Sequence, residues 1–378
     1  PGVERDLLGA VDLGTEHAVI ISGVRRCGKS TLLKQLIKKA GNVHYFNFED
    51  PRAVNFEISD FHLLEKAFRE AGGDDYYFFD EVQNVAGWER MVRGALDSGK
   101  RVVVTGSNAS LLSGELGTKL TGRHLTYELF PMSFIEMLRL KGWSPSLPRF
   151  KEYLEMGGFP EYLKYGNDGM LQGLFSDIVL KDVVVRHKLR DSKLVENMAL
   201  NMLSNAGKEF THNRLKKAFN MGNITTAVNY MSFLEDTYLV FSVPGYYPSP
   251  HQQLVNPKKA YAIDTAVVRA NTLSFTRDTG SMLENAVFLH LRRRSRSIYY
   301  YRGKRECDFL LKEKGAVREA IQVCCRLDDD NRPREIEGLK EAMDRFHIDR
   351  GLILTMDRED EYDDIDVMPV WKWLTANP

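Results

Sequence analysis

Cysteine is scarce in this chain of 378 residues. There are four, Cys27, Cys307, Cys324 and Cys325, and none of their spacings is that of a zinc site or a disulfide framework. The adjacent Cys324 and Cys325 would face opposite sides of a strand, so free thiols in a reducing cytoplasm are expected. No apolar run approaches the roughly 20 residues of a bilayer-spanning helix, and no secretory leader pattern is visible, so neither a membrane partner nor export is expected. An excess of charge of one sign is also missing, since 52 Lys plus Arg balance 52 Asp plus Glu. That excludes a uniformly basic coat and leaves room for a local basic groove. Repeats and low-complexity segments are absent. The chain opens on Pro1, so an N-terminal stretch is expected to precede it.

What is present is ordinary soluble material, 43% hydrophobic and 28% charged, in a length that suggests two or three domains. The first third alternates short apolar runs with helical stretches. Residues 17–22 (HAVIIS), 43–48, 76–79 and 101–105 read as strands, and 30–39 as a helix, the pattern of a parallel sheet buried on both faces. From about residue 130 the pattern turns helical. Residues 194–236 read as three amphipathic helices followed by a strand at 238–243, an order that fits a winged helix. A third composition begins near residue 256. There a helix at 281–294, strands at 297–301, 307–311 and 320–323, a helix at 334–346 and a strand at 351–355 make an α/β domain.

The chemistry concentrates at residues 23–30, GVRRCGKS, a full match to G-x-x-x-x-G-K-[ST] between a predicted strand and a predicted helix. Such a loop turns backbone N–H groups onto phosphate oxygens at a helix N-terminus. Gly23, Arg25, Arg26, Cys27, Gly28, Lys29, Ser30 and Thr31 are the expected ATP cradle. Lys29 reaches the β- and γ-phosphates and the Ser30 hydroxyl ligates Mg²⁺. Downstream, YYFFDE at 76–81 delivers Asp80 to a strand end, where it can hold Mg²⁺ through water. Glu81 is the expected base for the attacking water, the bland alternative being a surface carboxylate. The strand 101–105 ends in TGSN, which offers Asn108 first and Ser107 second as a polar group near the γ-phosphate. Arg123 is the candidate arginine supplied to a neighbouring subunit, with Arg25 and Arg26 competing. That role implies a homo-oligomer.

GVRRCGKSTLL, FFDEVQNVAGWE, VVVTGSNASLLS, LTGR and LFPMSFIEM, with GGFPEYL, NYMSFLEDTYLV and KKAYAIDTAV further on, together resemble a prokaryotic family of AAA+-type P-loop ATPases with a C-terminal domain of uncharacterised function. The similarity covers nearly the whole chain. It implies an AAA+-like P-loop core over residues 1–130, a helical lid or connector over 131–192, a winged-helix segment over 193–255 and a nuclease-like α/β fold over 256–378.

The last part follows the layout of PD-(D/E)xK nucleases in LENAVFLHLRRR, YYYRGKRECDFLL and AIQVC. Glu284 and Asp308 match the first two acidic positions, but E-x-K reads Gln322-Val323-Cys324. Gln322 brings no charge to a divalent cation and Cys324 no fixed cation. Glu319, three residues before Gln322, would point to the other face of a strand. The expectation is a restriction-endonuclease-like domain that no longer cuts. Such a domain can still bind DNA: Arg292, Arg293, Arg294 and Arg296 lie near Arg302, Lys304 and Arg305, with Tyr299, Tyr300 and Tyr301 between. In the winged-helix segment Arg214, Lys216 and Lys217 fall on the second helix, while the third, residues 223–236, has no Lys or Arg. The function expected is Mg²⁺-dependent ATP hydrolysis by an oligomer acting on DNA or recruited to it. The alternative is a slow ATP-hydrolysing switch or scaffold that contacts a protein through its C-terminal half.

Overall fold

The computed structural model describes residues 2–72, 76–109, 120, 122–272 and 278–377. Pro1, the stretch 110–113 that ends VVVTGSNASLLS, and Thr121 of LTGR lie outside the described residues. The chain forms two units, residues 1–131 with Asp236–Tyr238, and the remainder.

Unit 1 is built on five strands, β1 (Ala18–Ser22), β2 (His44–Asn47), β3 (Tyr76–Asp80), β4 (Arg101–Gly106) and β5 (His124–Glu128). All pair in parallel, in the order β2-β3-β4-β1-β5. Every residue of β1 is buried, as a strand covered on both faces requires. Ala18, Ile20, Tyr77, Phe79, Val102 and Val104 share a core with Leu64 and Phe68 of the helix Phe61–Ala71 and with Trp88, Met91 and Val92 of the helix Trp88–Asp97. Alternate strand residues point the other way, and the helix Lys29–Ala40 packs on β3 and β4. Because all five strands run the same way, the turns after β1, β3 and β4 emerge along one edge. β4 lies between the other two, where the sequence reading puts its polar terminus.

Unit 2 begins with helices, among them Phe134–Lys141, Leu147–Met156, Pro160–Tyr165 and Asp168–Asp177. Next come the helix Ser192–Ser204, β6 (Glu209–Phe210), the helices His212–Ala218 and Ile224–Asp236, and β7 (Val240–Pro244) and β8 (Lys258–Ala262). These strands pair antiparallel in the order β6-β8-β7. The helix Thr279–Arg294 leads into β9 (Ile298–Arg302), β10 (Glu306–Glu313), β11 (Ala316–Cys324), the helix Arg332–Phe346, β12 (Gly351–Thr355), β13 (Asp360–Tyr362) and β14 (Ile365–Pro369). The sheet order is β13-β14-β12-β11-β10-β9, antiparallel across β9, β10 and β11 and parallel from β11 through β12 to β14. Leu339, Ala342 and Met343 of the helix Arg332–Phe346 close a core over Cys307, Leu310, Ala320 and Ile353.

Two stretches far apart in sequence interlock in unit 2. The Asp264 carboxylate accepts from the Gly158 N–H at 2.6 Å, and caps the helix Thr265–Asn271 by accepting from Ala266 at 2.9 Å and Val267 at 3.2 Å. Burial pushes this carboxyl up to about 6, against the three N–H donors that oppose the shift. A Cβ on Gly157 would fall 2.1 Å from an Asp264 oxygen, so the close approach itself demands glycine there.

Candidate nucleotide site and carboxylate centre

The turn after β1 enters the helix Lys29–Ala40 through Arg26 at φ 61° and Gly28 at φ 107°. No side chain caps that helix, whose N-cap is Gly28. Its leading N–H groups are therefore left to an anion, the disposition a phosphate requires. Gly23 is squeezed by the chain after β5, since a Cβ there would lie 2.1 Å from the Leu129 carbonyl oxygen. The Cys27 thiol is buried, donates to the same carbonyl at 3.3 Å and is pushed up by burial, so this residue offers the site its backbone only. Arg25 reaches Glu49 at 3.3 Å, Ser30 is exposed and Thr31 half-buried.

The loop is clamped from a direction the motif does not announce. Arg5, 3% exposed, donates from one guanidinium nitrogen to the Cys27 carbonyl at 2.8 Å and from the other to the Phe130 carbonyl at 2.7 Å. No local spacing signals this, because its partners lie 22 and 125 residues away.

Lys29 is buried against the loop itself. Its Nζ donates to the carbonyls of Gly23 at 3.1 Å and Val24 at 3.2 Å and lies 3.4 Å from Glu81 Oε1. Burial would depress the ammonium, but Glu81 and other nearby groups outweigh it and hold the lysine above its ordinary value. Glu81 itself stands at φ 55°, a left-handed conformation that non-glycine residues rarely adopt. Burial opposes its charge, yet Lys29 and the Gln83 amide keep its carboxyl below the usual range. Gln83 donates both to Glu81 Oε2 and, at 3.1 Å, to the Ser107 hydroxyl. Asp80, 1% exposed, ends β3 and accepts from the Thr105 hydroxyl and from Tyr45 at 3.3 Å. Burial and Asp80 together push the Tyr45 phenol up to about 12. Asn108 is buried, and its carbonyl accepts from the Ser22 hydroxyl at 2.7 Å.

The loop, Lys29, Asp80, Glu81 and Ser107 thus share one sheet edge. Arg123 does not. It precedes β5, and its carbonyl accepts from the first residue of β1, Ala18, at 3.1 Å. At about 3.3 Å per residue, the five residues of β1 put it about 16 Å from the loop's edge. Its guanidinium reaches Asp97 at 2.6 Å.

In unit 2 the acidic positions expected from the nuclease layout come together around a residue the sequence reading passed over. Lys259 Nζ lies 2.8 Å from Asp308, 3.0 Å from Glu284 and 2.7 Å from Glu306. Burial and the Asp308 charge push Glu284 up to about 7. Its signal was a lysine inside the apolar run KKAYAI. Gln322 accepts from the Asp308 N–H at 3.2 Å and donates to the buried Glu335 at 2.7 Å. Cys324 donates to the Arg326 carbonyl at 2.9 Å and is pushed by burial to about 11. Glu319 lies 3.7 Å from Arg294, apart from the Lys259 group. Arg302 pairs with Glu209, and Arg305 with Glu337 at 3.2 Å. Arg292 lies over the Phe241 ring, and Arg293 hydrogen-bonds Tyr153. The Lys304 backbone N–H donates to Glu341 at 2.9 Å. As the side chains stand, with the Lys259 ammonium among its three carboxylates, no three His, Cys, Asp or Glu side chains among the described residues are placed to hold a metal ion.

Residues 15–138 match the AAA domain family, 147–278 a domain of unknown function (DUF8612) and 279–373 another (DUF4143). With the parallel sheet and the loop after β1, the first match defines the class of the N-terminal part: an AAA-type P-loop domain. The chain belongs to the same family as the uncharacterized protein MJ1544 of Methanocaldococcus jannaschii, to which it is 32% identical over 390 residues, covering 94% of this chain and 87% of the relative. An uncharacterized protein of Haemophilus influenzae is 28% identical over 389 residues, covering 95% and 94%. Two solved structures each cover 61% of this chain and 85% of their own. The replication initiator DnaA bound to AMPPCP and single-stranded DNA aligns at 16% identity with a TM-score of 0.31, and AMPPCP-bound DnaA from Aquifex aeolicus at 14% with 0.28. Likenesses that remote carry no argument about this chain.

Proposed function

We propose that unit 1 binds ATP with Mg²⁺ and hydrolyses it. The observation that carries this is the meeting of Lys29 and Glu81 at 3.4 Å, beside an uncapped helix N-terminus and at the strand end that bears Asp80. The uncapped N–H groups and Lys29 bind the phosphates. Lys29 leaves the Gly23 and Val24 carbonyls to do so. Glu81 takes the proton of the attacking water, and Gln83 with Ser107 fixes its orientation. Ser30 and Asp80 would hold Mg²⁺, which supplies positive charge between the phosphates when bound. Asn108 stands near the γ-phosphate. Arg123, on the far edge of its own sheet, serves the loop of a second copy, so turnover depends on an oligomer.

The partner acted upon is DNA in the first reading. The order helix, β6, helix, helix, β7, β8 supports a winged helix, and the face from Arg292 to Arg305 offers cations. A second reading, a switch docking a protein, is favoured by particular observations. Arg294, Arg302 and Arg305 are engaged by carboxylates of the same chain, and the helix Ile224–Asp236 exposes Ile224 and Val228 and carries no cation. Steady-state ATPase of the wild type beside Glu81→Gln, with and without single-stranded, duplex and branched DNA, decides between them. Glu81→Gln is expected to lower kcat by about 10²–10⁴-fold with nucleotide affinity kept. Unchanged turnover would sink the base assignment. Hydrolysis indifferent to every DNA would leave the protein-docking reading.

A further inference from the structure

Lys259 lies in β8 directly before the buried Ala260, Tyr261 and Ala262, and only 3% of its side chain is exposed. A buried ammonium needs compensation for each of its three N–H donors, since it has no acceptor of its own. Three carboxylates from two elements surround it, Glu284 on the helix Thr279–Arg294 and Glu306 and Asp308 on β10, and it donates to Glu284 and Asp308. The carboxylates are themselves held. Tyr261 donates to Glu284 at 2.7 Å, and the Val323 N–H to the second oxygen of Asp308 at 2.9 Å.

We propose that the Lys259 ammonium is the resident cation of this centre, so that no divalent metal binds there while Lys259 is present and one is taken up when the ammonium is removed. The idea deepens the reading of the C-terminal part as a nuclease-like fold that no longer cuts, and supplies its cause. Oxygens 2.7–3.0 Å from the nitrogen suit N–H donors. They stand off farther than the roughly 2.0–2.1 Å that Mg²⁺ demands. The missing E-x-K charge is a second obstacle to a metal, because Gln322 is neutral and its carbonyl oxygen is taken by the Asp308 N–H. With the ammonium gone, the crowded carboxylates repel one another, and a small divalent cation is what relieves them.

Thermal unfolding of the full chain, without nucleotide, in EDTA or in Mn²⁺, tests this on the wild type, Asp308→Asn, Lys259→Met and Lys259→Met/Asp308→Asn. The wild type and Asp308→Asn are expected to respond alike to Mn²⁺. Lys259→Met is expected to unfold at a lower Tm in EDTA and to gain at least about 4 °C more than the wild type from Mn²⁺, a gain the double variant lacks. Lys259→Met that folds only with Mn²⁺ supports the proposal equally. A wild-type gain that Asp308→Asn abolishes would overturn it, showing that metal displaces the lysine. So would a Lys259→Met that Mn²⁺ neither stabilises nor restores to a folded state. Nothing in the measurement depends on ATP hydrolysis, and plasmid cleavage assays the nuclease reading separately.

Discussion

The Lys29 ammonium rests 3.4 Å from Glu81 Oε1 while Gln83 holds Oε2 of the same carboxylate. Both oxygens of the candidate base are thereby engaged, one by the residue expected to grip the phosphates. In the proposed function, phosphate binding would draw Lys29 away and release one of those oxygens. The energetic side of this pairing is accessible without nucleotide. Lys29→Ala leaves a nearly buried carboxylate without its countercharge and is expected to lower stability, as is Glu81→Gln. A double-mutant cycle by denaturant unfolding is expected to show coupling of about 1–3 kcal/mol. Additive effects would mean the two groups merely coincide.

Acid should reveal the second contact. The Glu81 carboxyl, held low by Lys29 and Gln83 despite burial, keeps its ionised form below the ordinary glutamate value of about 4.3. Its contribution to folding is present above that unfolded-state value and is lost as pH falls through the lower folded one. The catalysis proposed for the ionised base is expected to follow the same direction. Gln83→Ala removes one stabilising donor, so the acid limb of the kcat profile is expected to move upward in pH. A profile that keeps its shape while kcat drops uniformly would mean that Gln83 only packs.

Arg123 lies too far along its own sheet to serve its own loop, which makes its role a question about pairs of chains. Arg123→Ala is expected to lower turnover by about 10³-fold or more with nucleotide affinity kept. Mixing Arg123→Ala with Glu81→Gln subunits is expected to restore activity, because each supplies what the other lacks. An inactive mixture, tested across protein concentrations, would argue that the Asp97 pairing is the whole of its role.

For the C-terminal unit the expectation is negative and easily overturned. Plasmid incubated with Mg²⁺ or Mn²⁺ should remain uncut at any nucleotide state. Metal-dependent nicking that disappears in Asp308→Ala would show that Gln322 and Cys324 do not disable the centre.

Much of unit 1 was legible because its physics is local. Apolar strands such as AVIIS and YYFFD announce themselves by continuous burial, and the phosphate loop by glycines in a strand-to-helix turn. Asp80 and Glu81 followed from the strand that carries them. Thr105, Tyr45 and Arg5 did not, since each matters through a partner on another strand or turn. The register that brings Thr105 to Asp80 is set by β3 and β4 pairing, which no single stretch of sequence encodes. In the C-terminal part, Glu284 and Asp308 were singled out by their layout, whereas Lys259 and Glu306 were not. A lysine in an apolar strand is a visible anomaly, but the carboxylates that explain it lie on other elements.

The junction of Asp264 with Gly158 has a bearing on how the chain acquires its structure. The helix Thr265–Asn271 is capped by a carboxylate that is also tied to a backbone group 106 residues earlier. Closing so long a loop costs entropy before any contact rewards it. The Gly158 contact, unlike the local cap, is therefore expected to form late in folding, and the Gly158 N–H to be among the last in unit 2 to gain protection from hydrogen exchange during refolding.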